Sequence, residues 1–181
     1  SILANDLSDR QRDIAAGKSR WIFSLPPAAG AAIVILFLAA GAIFLLPAGD
    51  SPLVLLTYLA GAALGLTYSL PPLPLKERGL FGLAAYSAAS LVVYAVLPWL
   101  CFRSEWRMLA VISAAVFLDK WVNLHFHQVI DFSADEQAGT KTFTIVAGSL
   151  RSRRLLRMTA WFAALWLALA LVHVIFLQPS W

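Results

Sequence analysis

Hydrophobic positions along this chain fall in long unbroken runs, not at the intervals of a half-buried element. Five runs near membrane-crossing length carry few charges: roughly Ala28 to Pro47, Pro52 to Leu70, Gly82 to Cys101, Arg107 to Ile130 and Leu156 to Leu177. A helix of ~20 residues crosses the ~30 Å hydrocarbon core of a bilayer. The runs are apolar on every side and rich in Ala, Leu and Gly. A membrane β-barrel would instead alternate apolar and polar positions over ~10-residue segments. The pattern predicts an all-α, polytopic transmembrane bundle, one membrane domain over residues 1–181.

Composition agrees. Of 181 residues, 60% are hydrophobic and 13% charged, with a mean hydropathy of +0.75. A soluble domain of this length cannot hide so much apolar surface. The single cysteine, Cys101, excludes an internal disulfide and a cysteine-based zinc site, and reads as a small apolar residue at a helix end. No cleavable signal peptide is legible. The chain opens at Ser1 inside a polar segment, so its start is expected to be a crop or a processing product.

Charge sets the orientation. The segment before the first span, the loop Pro71–Phe81 and the loop Asp131–Arg154 lie on one side. They hold Arg10, Arg12, Lys18, Arg20, Lys76, Arg78, Lys141, Arg151, Arg153 and Arg154, with Arg157 just inside the next span. The other side keeps Arg103 and Arg107. Cytoplasmic loops collect Lys and Arg, so the first side is expected to face the cytoplasm. Trp99, Trp106 and Trp181 at one boundary and Trp21 at the other fit an interfacial aromatic belt. The net charge of +4 is then topology, with no basic, aromatic-laced patch for nucleic acid.

The acids gather on the same side. Asn5, Asp9 and Asp13 recur at four-residue steps in "NDLSDRQRD", beside Asp6. Asp131 and Asp135 do so in "HQVIDFSADEQAGTKT", with His127, Asn123 and Asp119 continuing the row backwards. Residues four apart share a helix face, and like charges there repel. Two such stripes are costly unless a cation sits between them. Mg²⁺ takes hard oxygen ligands and binds through one or two carboxylates plus substrate phosphates. A diphosphate clamp is one reading, and a pair of solvated acidic turns is the other. A third segment, "YSLPPLPLKERG", is a proline-stiffened loop that brings Lys76 and Arg78 to the same side. Both pair with phosphate oxygens, although such residues are more often plain topology anchors.

Taken in order, "NDLSDRQRD", "YSLPPLPLKER" and "HQVIDFSADEQAGTKT" resemble the motifs of the UbiA-type intramembrane prenyltransferases, over Asn5 to Thr142. The resemblance implies an all-helical fold with two Asp-rich motifs at the cytoplasmic mouth of a cavity. It implies Mg²⁺ as cofactor, a polyprenyl diphosphate donor and a lipophilic, usually aromatic acceptor, as in quinone or related lipid and pigment synthesis. Carried over by position, Asn5, Asp9, Asp13, Asp131 and Asp135 are the implied metal ligands. Asp9, Asp131, Asp135 and Lys76 are the implied catalytic set. Asn5, Asp6, Asp13, Tyr68, Arg78, Asn123 and His127 are the implied substrate contacts. The expected site of action is a bacterial-type inner membrane. The family fold usually has nine spans, so the five here are expected to be a core fragment, inactive alone or completed by missing segments. Relatives that prenylate hydroxybenzoate carry Arg-Pro after the first motif. This chain reads "IAAGKSRW", which leaves donor-site details and the acceptor open.

The implied chemistry is electrostatic. Neutralising the leaving diphosphate lets an allylic donor ionise, and a water-free cavity protects the resulting cation. Asp6, Asp131 and Asp135 are all candidates for the base that takes the acceptor's proton. Of the neighbouring residues, Gln128 is expected to help position the second motif with His127, and Asp119 to face a cavity. His125 and His173 are expected to be structural, and Gly139, Thr140 and Thr142 to shape the following loop. The alternatives are a UbiA-type membrane terpene cyclase and a non-catalytic subunit binding anionic lipid. A transporter fragment is disfavoured, because no internal repeat or pair of interrupted spans stands out.

Overall fold

The computed structural model of the chain describes residues 2–15, 17, 19–47, 52–72, 74–102 and 105–176, the side chains of 2 and 173–176 excepted. Lys18, Arg103, Trp181 and the His173 side chain lie outside the described residues. The described chain is helical, and among the described residues the sole β-type contact is a bridge between Gly79 and Thr142. In order come α1 (Ile2–Ala15), α2 (Pro27–Leu45), α3 (Pro52–Ser69), α4 (Leu80–Leu91), α5 (Leu97–Phe102), α6 (Trp106–Ile130), α7 (Phe132–Gln137), α8 (Phe143–Ala147) and α9 (Ser149–Phe176). Among the described residues, five helical stretches are long and apolar enough to cross a membrane: α2, α3, Leu80–Phe102, α6 and the greater part of α9.

These helices are apolar on their outside. Ile35, Leu36, Phe37, Ile43 and Phe44 of α2, and Trp161, Phe162, Leu165 and Leu169 of α9, are all exposed. Exposed apolar surface on this scale is unfavourable in water and neutral against lipid tails, so the bundle is an integral membrane protein. Between helices, small and polar residues let backbones approach. Gly41 of α2 faces the Tyr58 hydroxyl of α3, which donates to the Leu38 carbonyl at 2.8 Å. In α4, the span packed between α3 and α6, Gly82, Ser87, Ala89 and Ser90 are buried.

Two local features depart from the pattern read along the chain. The third span contains a π-helical turn, Val92–Val96, just before Pro98. A proline has no N–H for the carbonyl four residues back, and a wider turn absorbs the mismatch. The turn carries Tyr94 over the Lys120 ammonium at 5.3 Å, and Lys120 pairs with Asp119 at 2.9 Å. The last helix begins at Ser149, well before the expected Leu156. Its first turns carry Arg151, Arg153 and Arg154, which hydropathy reads as loop although the backbone is already helical.

Candidate active site

The first acidic segment is helical as its spacing requires, and α1 carries Asn5, Asp6, Asp9 and Asp13. Its connection to α2 is tied down twice. Asp6 is buried and takes an ion pair from the Arg20 Nε at 3.5 Å, and Arg10 Nη2 donates to the Phe23 carbonyl at 2.6 Å. Asp6 thereby helps to brace the α1–α2 turn.

The proline loop folds back onto α1. The Lys76 ammonium donates to Asp9 Oδ1 at 2.6 Å, to the Ser8 hydroxyl at 2.8 Å and to Asn5 Oδ1 at 3.2 Å. Ser69, the last residue of α3, donates to the same Asn5 oxygen at 3.3 Å. Arg12 reaches the loop from the next turn of α1 and pairs with Glu77 at 2.5 Å. The Glu77 carboxylate holds the Arg12 guanidinium more firmly charged than usual. The two contacts differ in weight. Lys76 and Asp9 are mostly shielded, and a charged hydrogen bond there is worth about 1.5–3 kcal/mol. Arg12 is half exposed, and such a pair is worth about 0.2–1 kcal/mol.

The second acidic segment follows α6. Asn123 and His127 lie on exposed positions of α6. The expected four-residue row turns at Asp131, where the helix stops with φ −82° and ψ 5°. The backbone bond from Asp135 N to Asp131 O persists at 2.8 Å, but Asp135 belongs to the separate short helix α7. Asp135 Oδ2 accepts from the Thr142 hydroxyl at 3.1 Å. Gly79 N donates to the Lys141 carbonyl at 3.1 Å, so this segment meets the proline loop.

Tyr68 lies against Tyr86 with ring centroids 5.6 Å apart. The three polar segments share one end of the bundle: Lys76 reaches Asp9 directly, and Gly79 ties the same loop to the Lys141–Thr142 segment that holds Asp135. Arg78 and Asp131 are exposed at that end, and Asp13 is half-buried. Among the described residues, no three of His, Cys, Asp and Glu stand close enough to hold a metal unaided. Alongside α1 opens a groove of about 830 Å³, with Ser8, Asp9 and Lys76 at its rim and Val34, Leu38, Leu66 and Leu70 along its wall.

His125 and Gln128, on the inner side of α6, are buried. His125 Nε2 lies 2.7 Å from the Ser152 hydroxyl, which donates to Thr144 Oγ1 at 3.1 Å. This network joins α6, α8 and α9, and it gives His125 the structural place expected of it. Four partners went unread in the sequence: Ser8, Ser69, Arg20 and Ser152. Ser8 and Ser69 adjoin Asp9 and Tyr68, which was the available signal.

A membrane-embedded helical bundle with acidic and basic side chains gathered at one end suits an amphiphilic ligand, its polar head at that end and its apolar part along the helices. The chain matches the model of the UbiA prenyltransferase family over residues 1–181 and belongs to that family. It is in class a membrane prenyltransferase, and its family joins prenyl diphosphates to lipophilic acceptors. No curated protein and no solved structure matches the chain.

Proposed function

We propose that this protein transfers a polyprenyl group from a prenyl diphosphate to a lipophilic, aromatic acceptor, in a Mg²⁺-dependent reaction at the cytoplasmic mouth of an intramembrane cavity. The product would belong to quinone or related lipid or pigment synthesis. The observation that carries this reading is the Lys76 ammonium lodged among Asn5, Ser8 and Asp9, with the same loop tied through Gly79 to the segment whose Thr142 holds Asp135. A cation bound by the first acidic group and a second acidic group nearby are what a metal-diphosphate clamp needs.

The donor set fits magnesium. Asn5, Asp9, Asp13, Asp131 and Asp135 offer only hard oxygens, and the first group already draws a cation in Lys76. Three converging acids are not required, because Mg²⁺ typically takes one or two carboxylates and completes its shell with phosphates and water. Bound there, Mg²⁺ would offset charge on the diphosphate.

The remaining steps belong to the side chains. Lys76 turns from Asp9 to a phosphate oxygen when donor arrives, and Arg78 takes a second. Both then stabilise charge building on the leaving group as the allylic C–O bond breaks. The groove wall of Val34, Leu38, Leu66 and Leu70 suits an apolar tail, which once lodged there would help to cover the allylic carbon from water. An electron-rich acceptor carbon attacks and gives up its proton. Asp6, Asp131 and Asp135 are the candidate bases. Orientation follows the basic side chains, which crowd the end bearing the acidic motifs.

The test is incubation of the full-length protein in proteoliposomes with radiolabelled prenyl diphosphate, Mg²⁺ and a panel of quinone-precursor phenols. A prenylated phenol with stoichiometric diphosphate release is expected. Release without acceptor product would instead mean a cyclase, and no release a lipid-binding subunit.

A further inference from the structure

The loop after the second acidic motif holds together parts that the chemistry needs in register. Thr142 occupies the N-cap position of α8, where a threonine hydroxyl ordinarily accepts a hydrogen bond from a backbone amide of the first turn. Here it makes no such cap. It donates to Asp135 Oδ2 at 3.1 Å instead. The hydroxyl meets an acid of the proposed clamp and makes no contact with its own helix end.

The backbone of the same residue is bridged to Gly79, whose N–H donates to the Lys141 carbonyl at 3.1 Å. Gly79 sits at φ +55°, a conformation that favours glycine, and it closes the loop bearing Lys76. One residue therefore touches the second acidic motif with its side chain and the basic loop with its backbone. Two residues on, Thr144 is buried and bonded to Ser152, so the joint is anchored to the bundle.

We propose that Thr142 is a positioning residue that sets the Asp135 carboxylate against the Lys76 loop and so fixes the span of the diphosphate site. The inference rests on the prenyl-diphosphate reading. It adds that clamp geometry is set by a residue that need not touch the substrate. Groups that orient metal or phosphate ligands commonly cost about 10–100-fold in affinity or activity when removed.

The experiment is a titration of the full-length protein with inorganic pyrophosphate and Mg²⁺, alongside donor KM, acceptor KM and Tm. Thr142→Val keeps the shape and the backbone bridge but removes the hydroxyl, and Thr142→Ser keeps the hydroxyl. Thr142→Val should weaken pyrophosphate binding and raise donor KM about tenfold, with acceptor KM unmoved, Tm within a few degrees of the parent and Thr142→Ser close to the parent. On an Asp135→Asn background, Thr142→Val should add almost nothing, because its effect passes through that carboxylate. If Thr142→Val does not fold, Thr142→Ala carries the same expectation. The proposal is overturned if the hydroxyl-free variants bind pyrophosphate like the parent, if Thr142→Ser loses as much, or if the loss persists undiminished on Asp135→Asn. A parent protein that binds no pyrophosphate would remove the diphosphate reading itself, and this inference with it.

Discussion

At the scale of single residues, position in sequence and role in the site part company. Asp6 and Asp9 are three residues apart, yet Asp6 braces a turn with Arg20 while Asp9 holds the Lys76 ammonium. Lys76→Met should remove a shielded charged contact and a phosphate partner together. Donor KM should then rise by about tenfold or more, since such contacts are worth about 1.5–3 kcal/mol, and steady-state kinetics on a labelled donor will read it. His125 makes the opposite prediction. His125→Ala leaves the Ser152 hydroxyl with one partner fewer in a buried place, which should lower stability by about 1–3 kcal/mol in a thermal melt. Asn123→Ala, on the exposed side of the same helix, should leave the melt where it was. The spacing of the acids was legible because helical periodicity is local. Ser8, Ser69 and Arg20 were not, because contacts such as Lys76 to Ser8 join residues 68 apart and leave no periodic trace.

Among elements, the spans were legible almost to their ends, since a bilayer demands uniform apolarity over a fixed length. The exceptions have local causes: arginines in the first turns of α9, a proline that widens the third span, and a helix that stops at Asp131. The packing of α4 against the Lys76 loop was invisible in the sequence, and it turns on the absence of one methyl group. A Cβ on Gly82 would stand 2.8 Å from the Leu75 carbonyl oxygen and 3.1 Å from that of Lys76. Both are backbone atoms, so they yield only if the loop moves. Gly82→Ala should displace Lys76 from Asp9 and lower activity more than a solvent-facing glycine-to-alanine change would. A Gly82→Ala protein with parental donor KM would show that the loop tolerates the shift.

On the scale of the whole molecule, the acidic and basic motifs lie at one end of a membrane bundle, the end proposed above to face the cytoplasm. Orientation can be read with a membrane-impermeant maleimide on a Cys101→Ala background. Arg78→Cys should label only from the cytoplasmic side, and Glu105→Cys, at the start of α6, only from the other. Labelling of both from one side would break the alternation of spans. The central claim is that acids remote in sequence serve one metal-diphosphate site. Its most direct test is Mg²⁺-dependent binding of pyrophosphate to the full-length protein and to its Asp9→Asn and Asp135→Asn variants. The account predicts that each substitution weakens binding by about tenfold or more, and that chelating Mg²⁺ abolishes it in the parent. Parental affinity in either variant would mean that the two acidic groups do not share a ligand.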